Sequence, residues 1–136
     1  MTLREALIRD EGFRGKPYPD TTGHLTIGFG RNLTDDGITL AEAEFLLDND
    51  ISRHTADVLA LLPWMLRMDE VRREALINMA FNVGAHGLLE SPKMLRAAEA
   101  GDWPLAAIEL LNGPYHLQVG DRAYRLSRQL ETGERV

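Results

Sequence analysis

Two carboxylates and a hydroxyl occur close together near the start of the chain, within the stretch DEGFRGKPYPDTTGHLTIGFG that begins at Asp10. Glu11 comes at the end of a predicted helix, and Asp20 and Thr26 follow in a stretch containing several glycines. An acid at a helix C-terminus lies near the negative end of the helix dipole, which disfavours another negative charge. Glycoside hydrolysis needs such an acid to protonate the leaving oxygen and a second carboxylate to activate water. Glu11, Asp20 and Thr26 are therefore candidate catalytic residues for this reaction.

The residue pattern alone leaves an ordinary explanation open. Acidic side chains near helix ends and turns are mostly solvated surface residues. The spacing of Glu11 and Asp20 also does not fix the distance between their carboxylates, and that distance separates inverting from retaining hydrolases. The distance depends on the elements that hold the two residues.

A short first helix and a β-hairpin are predicted to position the three candidates. Thr2 and Glu5 have the spacing of a capping box at the start of the helix, and Gly12 ends it. Residues 16–29 contain Tyr18, a TTG turn at 21–23, and then apolar side chains at every second position from Leu25 to Phe29, which is typical of a β-hairpin. The TDDG sequence at 34–37 is predicted to be a turn.

The remainder of the chain has helical signals. A second capping box at Thr39 and Glu42 begins a long helical stretch that runs to about Leu62, before Pro63. A helix at about 69–83 is the best candidate for the core helix. Its apolar stripe comprises Val71, Ala75, Leu76, Met79, Ala80 and Val83.

Three further helices follow. Ser91 and Asp102 are predicted N-caps, each with a proline soon after, and the last helix runs from about Asp121 to Thr132. We therefore expect a mostly α, α+β fold in a single domain over residues 1–136. It should have a small β-hairpin lobe at about 12–60, a helical lobe formed by 1–11 and 61–136, and a cleft between them.

Composition narrows the functional classes. The chain has 136 residues, a formal net charge of −6 and no cysteine. A nucleic-acid binder is disfavoured because it needs basic surface to displace counterions from phosphates. Charges recur throughout the N-terminus and no stretch reaches the roughly 18 apolar residues of a membrane span, so neither a signal peptide nor membrane insertion is predicted.

A metal site is not expected either, and no cofactor is predicted. The four histidines show no pair four residues apart, and no cysteine is present to complete a zinc site. They are His24, His54, His86 and His116. Trp64, Trp103 and Tyr115 are predicted to serve packing instead of binding a cofactor.

The stretch RDEGFRGKPYPDTTGHLTIGFG resembles the phage-type (T4-like) lysozymes of glycoside hydrolase family 24. Their motif is Glu, an eight-residue gap, Asp, a five-residue gap, Thr, and then Ile or Val followed by Gly-x-Gly. Two later segments, VRREALINMAFNVG (71–84) and DRAYRLSRQLETG (121–133), extend the resemblance over nearly the whole chain. The motif positions are filled in order by Glu11, Asp20, Thr26, Ile27, Gly28 and Gly30.

This resemblance implies a lysozyme-like fold and specific residue roles. Glu11 would be the general acid, Asp20 the base that positions the attacking water, and Thr26 the hydroxyl that contacts this water. Arg122 would pair with the catalytic glutamate, and Asn78 would join their network.

Other residues receive roles with open alternatives. Phe81 and Asn82 match sugar-contacting positions, although Phe81 also suits the core and Asn82 also suits a helix end. Asp10 and Arg125 match an acid–arginine pair, with independent surface charges as the alternative.

Where the family commonly has a histidine after the second glycine, this chain has Arg31. Asp50 matches the acid that partners this histidine. An Arg31–Asp50 pair is therefore expected in its place.

The implied function is hydrolysis of the β-1,4 bond between N-acetylmuramic acid and N-acetylglucosamine in bacterial peptidoglycan, with inversion. The partners would be peptidoglycan glycan strands, and we expect a monomer. Such an endolysin would be made in the host bacterial cytoplasm without a signal peptide and would depend on a holin to reach the wall. A lytic transglycosylase, a catalytically inactive peptidoglycan-binding module and a plain helical interaction protein remain alternatives.

Overall fold

A computed structural model describes residues 1–115 and 120–136, and His116 lies outside them. The chain forms two compact units, Met1–Leu46 and Leu47–Val136. The boundary between them falls inside a helix, and the first helix is grouped with the sheet. Two residues separate this helix from the first strand, and its last side chain lies against Gly30, between the second and third strands. The lobe bounds expected from the sequence stay a prediction.

The first unit contains a short helix, a small sheet and one further helical turn. Its elements are α1 (Leu3–Glu11), β1 (Arg14–Pro19), β2 (Leu25–Gly28), β3 (Arg31–Asn32) and α2 (Leu33–Asp36). The strands form one antiparallel sheet in the order β1-β2-β3. The predicted hairpin is confirmed, and β3 is a strand that the sequence pattern did not indicate.

Both predicted capping boxes are formed. The backbone N–H of Thr2 donates to Glu5 Oε2 at 2.7 Å, and Glu5 N–H donates to Thr2 Oγ1 at 3.1 Å. Thr39 and Glu42 exchange the same two bonds at 2.9 and 3.2 Å. Each box satisfies backbone donors that the first turn of a helix leaves without a partner.

The prediction of a turn at 34–37 is wrong, because the short helix α2 forms there. The Asn32 side chain accepts a hydrogen bond from Asp35 N–H at 3.0 Å, which caps this short helix. Gly37 ends it with a φ of 59°. A capping asparagine therefore converts a turn sequence into a complete helical turn.

Helices make up the second unit, together with the C-terminal part of a helix that crosses the boundary. They are α3 (Leu40–Leu61, shared by both units), α4 (Glu70–Val83), α5 (Pro92–Glu99), α6 (Trp103–Asn112) and α7 (Asp121–Thr132), with 3₁₀ segments at Pro63–Arg67 and His86–Glu90. Together with the sheet, they confirm the mostly α, α+β class. In the described part of the chain, no helix combines the length and apolarity needed to cross a bilayer.

The core of the second unit is built around α4, as predicted. Four of its residues are at most 1% exposed: Ala75, Leu76, Met79 and Ala80. Tyr115 is 1% exposed, and both tryptophans, at 64 and 103, are partly buried against the same core. Burying these apolar side chains supplies the main stabilisation of the unit. The packing role predicted for the three large aromatic residues is confirmed.

Candidate active site

Asp20 lies directly after β1, at the start of the turn that leads into β2. Its Oδ1 accepts three hydrogen bonds: from Thr22 N–H at 2.8 Å, from the Thr22 hydroxyl at 2.8 Å and from His24 N–H at 2.9 Å. An aspartate that accepts from the backbone two residues on is typical of this kind of turn. The local fold therefore fixes one carboxylate oxygen and leaves the other free of hydrogen bonds from the described residues.

The same contacts determine the charge of Asp20. The Thr22 hydroxyl and the His24 backbone N–H, both donating to the carboxylate, lower the pKa of Asp20 below its ordinary value. Hydrogen bonds to a carboxylate favour its ionised form. Asp20 is therefore an anion at neutral pH, with one oxygen held and one available.

Thr26 is on β2, opposite Tyr18 of β1, and is only 5% exposed. Its hydroxyl donates to the backbone carbonyl of His24 at 3.1 Å. The same carbonyl accepts a hydrogen bond from Asp20 N–H at 2.8 Å. Because the Thr26 hydrogen is used in this way, its oxygen can act as an acceptor for water. The hairpin thus joins Asp20 and Thr26 through one carbonyl group.

Glu11 is the last residue of α1 and is exposed. Its carboxylate lies against Gly30, in the turn between β2 and β3, so that a Cβ at Gly30 would be 2.7 Å from Glu11 Oε2. Gly30 has a φ of 80°, a conformation that favours glycine. Because Gly30 has no side chain, there is room at this position for the Glu11 carboxylate.

Asn78 and Arg122 are joined within the second unit. Arg122 donates from Nε and Nη2 to Asn78 Oδ1 at 2.9 and 2.7 Å, and from Nη2 to the Asn78 carbonyl at 3.1 Å. This links α4 to α7 and holds the guanidinium in one orientation. The pairing of Arg122 with Glu11, and with it the network that Asn78 is predicted to join, stays a prediction.

Phe81 lies beside the same pair. It lines a cavity of about 610 Å³ together with Asn78, Arg122 and other residues of the second unit. Its ring is half-buried and contacts the His54 ring, with centroids 5.0 Å apart. Asn82 is exposed in the last turn of α4. Sugar contacts by Phe81 and Asn82 stay a prediction.

Arg31 pairs with a carboxylate of its own unit. It binds both carboxylate oxygens of Glu42, from Nη1 at 2.9 Å and from Nη2 at 2.6 Å, and also donates to the Gly37 carbonyl at 3.0 Å. Asp50 accepts from Arg53, three residues along α3, at 2.7 Å. A capping box also fixes Glu42 at the start of α3. Arg31 and Asp50 belong to different units, and their predicted pair stays a prediction.

The Arg31–Glu42 pair has a large effect on the acid. The Arg31 hydrogen bonds, with those from Thr39, lower the pKa of Glu42 to about 2. The guanidinium pairs with the carboxylate through two parallel bonds, which is a strong geometry for an exposed pair.

Asp10 also has a local partner. Its Oδ1 accepts from Arg9 Nε at 2.7 Å, and both side chains are exposed. Arg125 is exposed on α7. The predicted Asp10–Arg125 pair would join the first unit to the second, and it stays a prediction.

Sequence reasoning missed three features of the site, namely Thr22, His24 and the position of Gly30. The signal for Thr22 is present, because an aspartate followed by two threonines and a glycine is typical of a turn closed by the aspartate side chain. For His24, the sequence pattern raises only the question of a metal ligand. Among the described residues, no group of three or more His, Asp or Glu side chains is placed to bind a metal ion.

The similarity of the chain to known proteins identifies the class to which it belongs. A family model described as phage lysozyme matches residues 9–128, which include every site residue named above. The match makes this protein a glycoside hydrolase, and peptidoglycan is its class of substrate. The chain belongs to the phage lysozyme family.

Individual relatives agree with this assignment. The chain is 27% identical over 161 residues to a probable T4-type lysozyme of Dictyostelium discoideum, covering 97% of this chain and 95% of that protein. It is 31% identical to the pre-baseplate central spike protein Gp5 of Enterobacteria phage T4, covering 98% of this chain but only 28% of that protein. A SAR-endolysin of bacteriophage PS119 is 33% identical over 109 residues, which cover 77% of this chain and 64% of that protein.

Proposed function

We propose that the chain is an endo-N-acetylmuramidase that hydrolyses the β-1,4 bond between N-acetylmuramic acid and N-acetylglucosamine. Glu11 acts as the general acid and Asp20 as the general base. The observation that carries this proposal is the Asp20 carboxylate, which three donors hold by one oxygen and keep ionised. An oriented carboxylate with a free oxygen suits the positioning of an attacking water.

The reaction follows from the two acids. Glu11 gives its proton to the glycosidic oxygen as the bond to the anomeric carbon breaks. A water held by the second oxygen of Asp20, and by the Thr26 oxygen, attacks that carbon from the opposite face and passes a proton to Asp20. The product sugar therefore has inverted configuration. In an inverting mechanism the two carboxyl groups should be about 6.5–9.5 Å apart in the working enzyme, because the water must fit between them and the sugar.

Residues of the second unit have supporting roles in this proposal. Arg122, held in place by Asn78, pairs with Glu11 and orients its carboxyl group, as the family resemblance implies. Phe81 and Asn82 contact the glycan, because an aromatic face and an amide suit a saccharide. The cavity that Phe81 lines with Asn78 and Arg122 supports the assignment of Phe81.

We also propose that the protein works as an endolysin and acts on the cell wall as a monomer. The name of the phage PS119 relative, an endolysin, supports this role. Expression in a bacterial cytoplasm should then cause lysis only when a holin is expressed with it. Lysis at the same rate without a holin would contradict this part of the proposal.

The catalytic assignment is tested by wall hydrolysis with matched variants. Turbidity loss of permeabilised bacteria should fall at least a hundredfold in Glu11→Gln and in Asp20→Asn, as expected for removal of a general acid or base. Glu44→Gln removes an exposed carboxylate of α3 and should leave the rate unchanged. Equal rates for Glu11→Gln and wild type would refute the assigned acid.

The products separate the remaining alternatives. Mass spectrometry of digested peptidoglycan should show reducing muramic acid ends, whereas anhydromuramyl ends would identify a lytic transglycosylase. Proton NMR during the reaction should show the α-anomer first, and initial release of the β-anomer would contradict inversion. Wall binding without any product would identify an inactive binding module.

A further inference from the structure

The side chains in and beside the turn that carries Asp20 form a chain, in which hydrogen bonds join the first three groups. Thr22 Oγ1 contacts both Asp20 Oδ1 and His24 Nδ1. On the other side of the imidazole, His24 Nε2 lies 3.5 Å from Asp35 Oδ2. The order of groups is thus carboxylate, hydroxyl, imidazole and carboxylate, all within the first unit.

The direction of each hydrogen bond in this chain is fixed by counting donors. An ionised Asp20 can only accept, so the one hydrogen of the Thr22 hydroxyl is used in the bond to Oδ1. The contact between Thr22 Oγ1 and His24 Nδ1 then requires the imidazole nitrogen to donate. This order of donors assigns the His24 proton to Nδ1, where it would hold the Thr22 hydroxyl in the rotamer that points its hydrogen at Asp20.

Two carboxylates face the His24 ring. Asp20 Oδ2 is 3.8 Å from Nδ1, and Asp35 Oδ2 is 3.5 Å from Nε2. Asp35 is itself held by the Asn32 amide, which donates to the same Oδ2 at 2.9 Å. The ring thus lies between two carboxylates, and its hydrogen bond with Thr22 Oγ1 joins it to the turn.

We propose that Thr22 and His24 are positioning residues for the general base, with His24 donating through Thr22 to Asp20 Oδ1 so that only Oδ2 is presented to the attacking water. This inference rests on the proposed function, because it assigns a task to the Asp20 carboxylate. Without the two side chains, Oδ1 keeps only its two backbone donors, so the carboxylate is held less firmly in one orientation. The consequence is a loss in the chemical step, with little change in glycan binding.

The first experiment separates kcat from KM on a soluble peptidoglycan fragment. Thr22→Val should lower kcat about tenfold with KM within twofold, because one hydrogen bond to an ionised group is lost. Thr22→Ser keeps the hydroxyl and should restore kcat to within about twofold of wild type. Thr21→Val, at the exposed neighbouring position, is the matched control and should leave both constants unchanged.

His24→Phe keeps the ring shape and removes both nitrogens, so its kcat should fall to the level of Thr22→Val. The double variant Thr22→Val/His24→Phe should be no worse than either single variant, since both act through one hydrogen bond. Independent, multiplying losses would overturn the proposal. An unchanged kcat in both single variants would overturn it as well.

A second experiment does not depend on activity. Long-range proton–nitrogen NMR of the His24 ring at alkaline pH, where a histidine is neutral, should show the proton on Nδ1 in the wild type. In Thr22→Val the proton should move to Nε2, because the acceptor that holds it on Nδ1 is gone. A wild-type ring protonated only on Nε2 would overturn the inference, even if Asp20→Asn is inactive. If Asp20→Asn retains full activity, the proposed function fails instead, whatever the ring shows.

Discussion

The carboxylate of Glu11 lies against the backbone of Gly30, where a Cβ would come within 2.7 Å of Oε2. The contact joins the end of α1 to the turn between β2 and β3. The proposed acid is therefore positioned by a residue without a side chain, nineteen positions later in the sequence. Close approach of this kind is a common reason for glycine in a turn.

Gly30→Ala should displace the Glu11 carboxylate. The added methyl group meets the flexible end of the glutamate, so the side chain moves while the backbone bears the strain of a positive φ. We expect a stability loss of about 1–2 kcal/mol and a fall in kcat of roughly tenfold to a hundredfold. Urea unfolding and wall-hydrolysis kinetics measure the two effects.

Gly28→Ala is the matched control for this prediction. Gly28 has a similar φ of 67°, but no atom lies within 4 Å of its missing Cβ. The stability loss should be similar, whereas kcat should fall much less than in Gly30→Ala. Equal losses of kcat in the two variants would show that backbone strain, and not contact with Glu11, determines the result.

The Arg31–Glu42 pair should make the first unit sensitive to acid. Because the folded pKa of Glu42, about 2, lies below the ordinary value of 4.5, the ionised carboxylate stabilises the fold. This contribution is complete above about pH 4.5 and is lost as the pH falls towards 2. Glu42→Gln should therefore be less stable than wild type at pH 7, with the difference closing near pH 2.

Hydrogen exchange of the backbone amides in Met1–Leu46, recorded from pH 7 to pH 3, would follow this effect. Asp50→Asn is the control, because Asp50 pairs with Arg53 in the second unit. Glu42→Gln should lose more of the wild-type pH dependence than Asp50→Asn does. The opposite order would contradict the assignment of Glu42 as the partner of Arg31.

The Asn78–Arg122 contact should contribute to the stability of the second unit. A double-mutant cycle with Asn78→Ala and Arg122→Ala isolates the interaction, and we expect a coupling energy of about 1 kcal/mol in thermal or urea unfolding. Arg128→Ala, an exposed arginine of the same helix, should show no coupling to Asn78→Ala. A coupling near zero for Arg122 would mean that its three hydrogen bonds to Asn78 are not maintained in solution.

Two predicted helix caps should respond differently to alanine. Asp102 accepts a hydrogen bond from Leu105 N–H at 3.2 Å, so Asp102→Ala should cost about 1 kcal/mol of stability. Ser91 occupies the equivalent position before α5, but its buried hydroxyl has no hydrogen-bond partner in the described ranges. Ser91→Ala should be neutral or stabilise the protein by up to about 1 kcal/mol, since a buried polar group without a partner is removed.

Thermal unfolding of both variants tests this contrast. A destabilisation by Ser91→Ala equal to that by Asp102→Ala would show that Ser91 caps its helix after all. The sequence alone could not separate the two positions, because both have a capping residue and a proline nearby.

The sequence by itself determined the features that depend on neighbours within a few residues. Thr2 with Glu5, and Thr39 with Glu42, have the three-residue spacing of a capping box, and both boxes form. The apolar stripe of α4 likewise placed the core helix of the second unit, because helical periodicity decides which side chains can be buried together. The order and spacing of the acids and the threonine near the N-terminus also carried the family resemblance.

Only the tertiary structure decided which partners the charged and polar side chains take. Arg31 binds Glu42, and Glu11 contacts Gly30, because such pairs depend on how turns bring separate segments together. His24 joins Asp20 through Thr22 for the same reason: a hydrogen bond forms with whichever group the folded backbone places within about 3 Å. Residue types and spacing constrain local backbone structure, but they do not fix these distances.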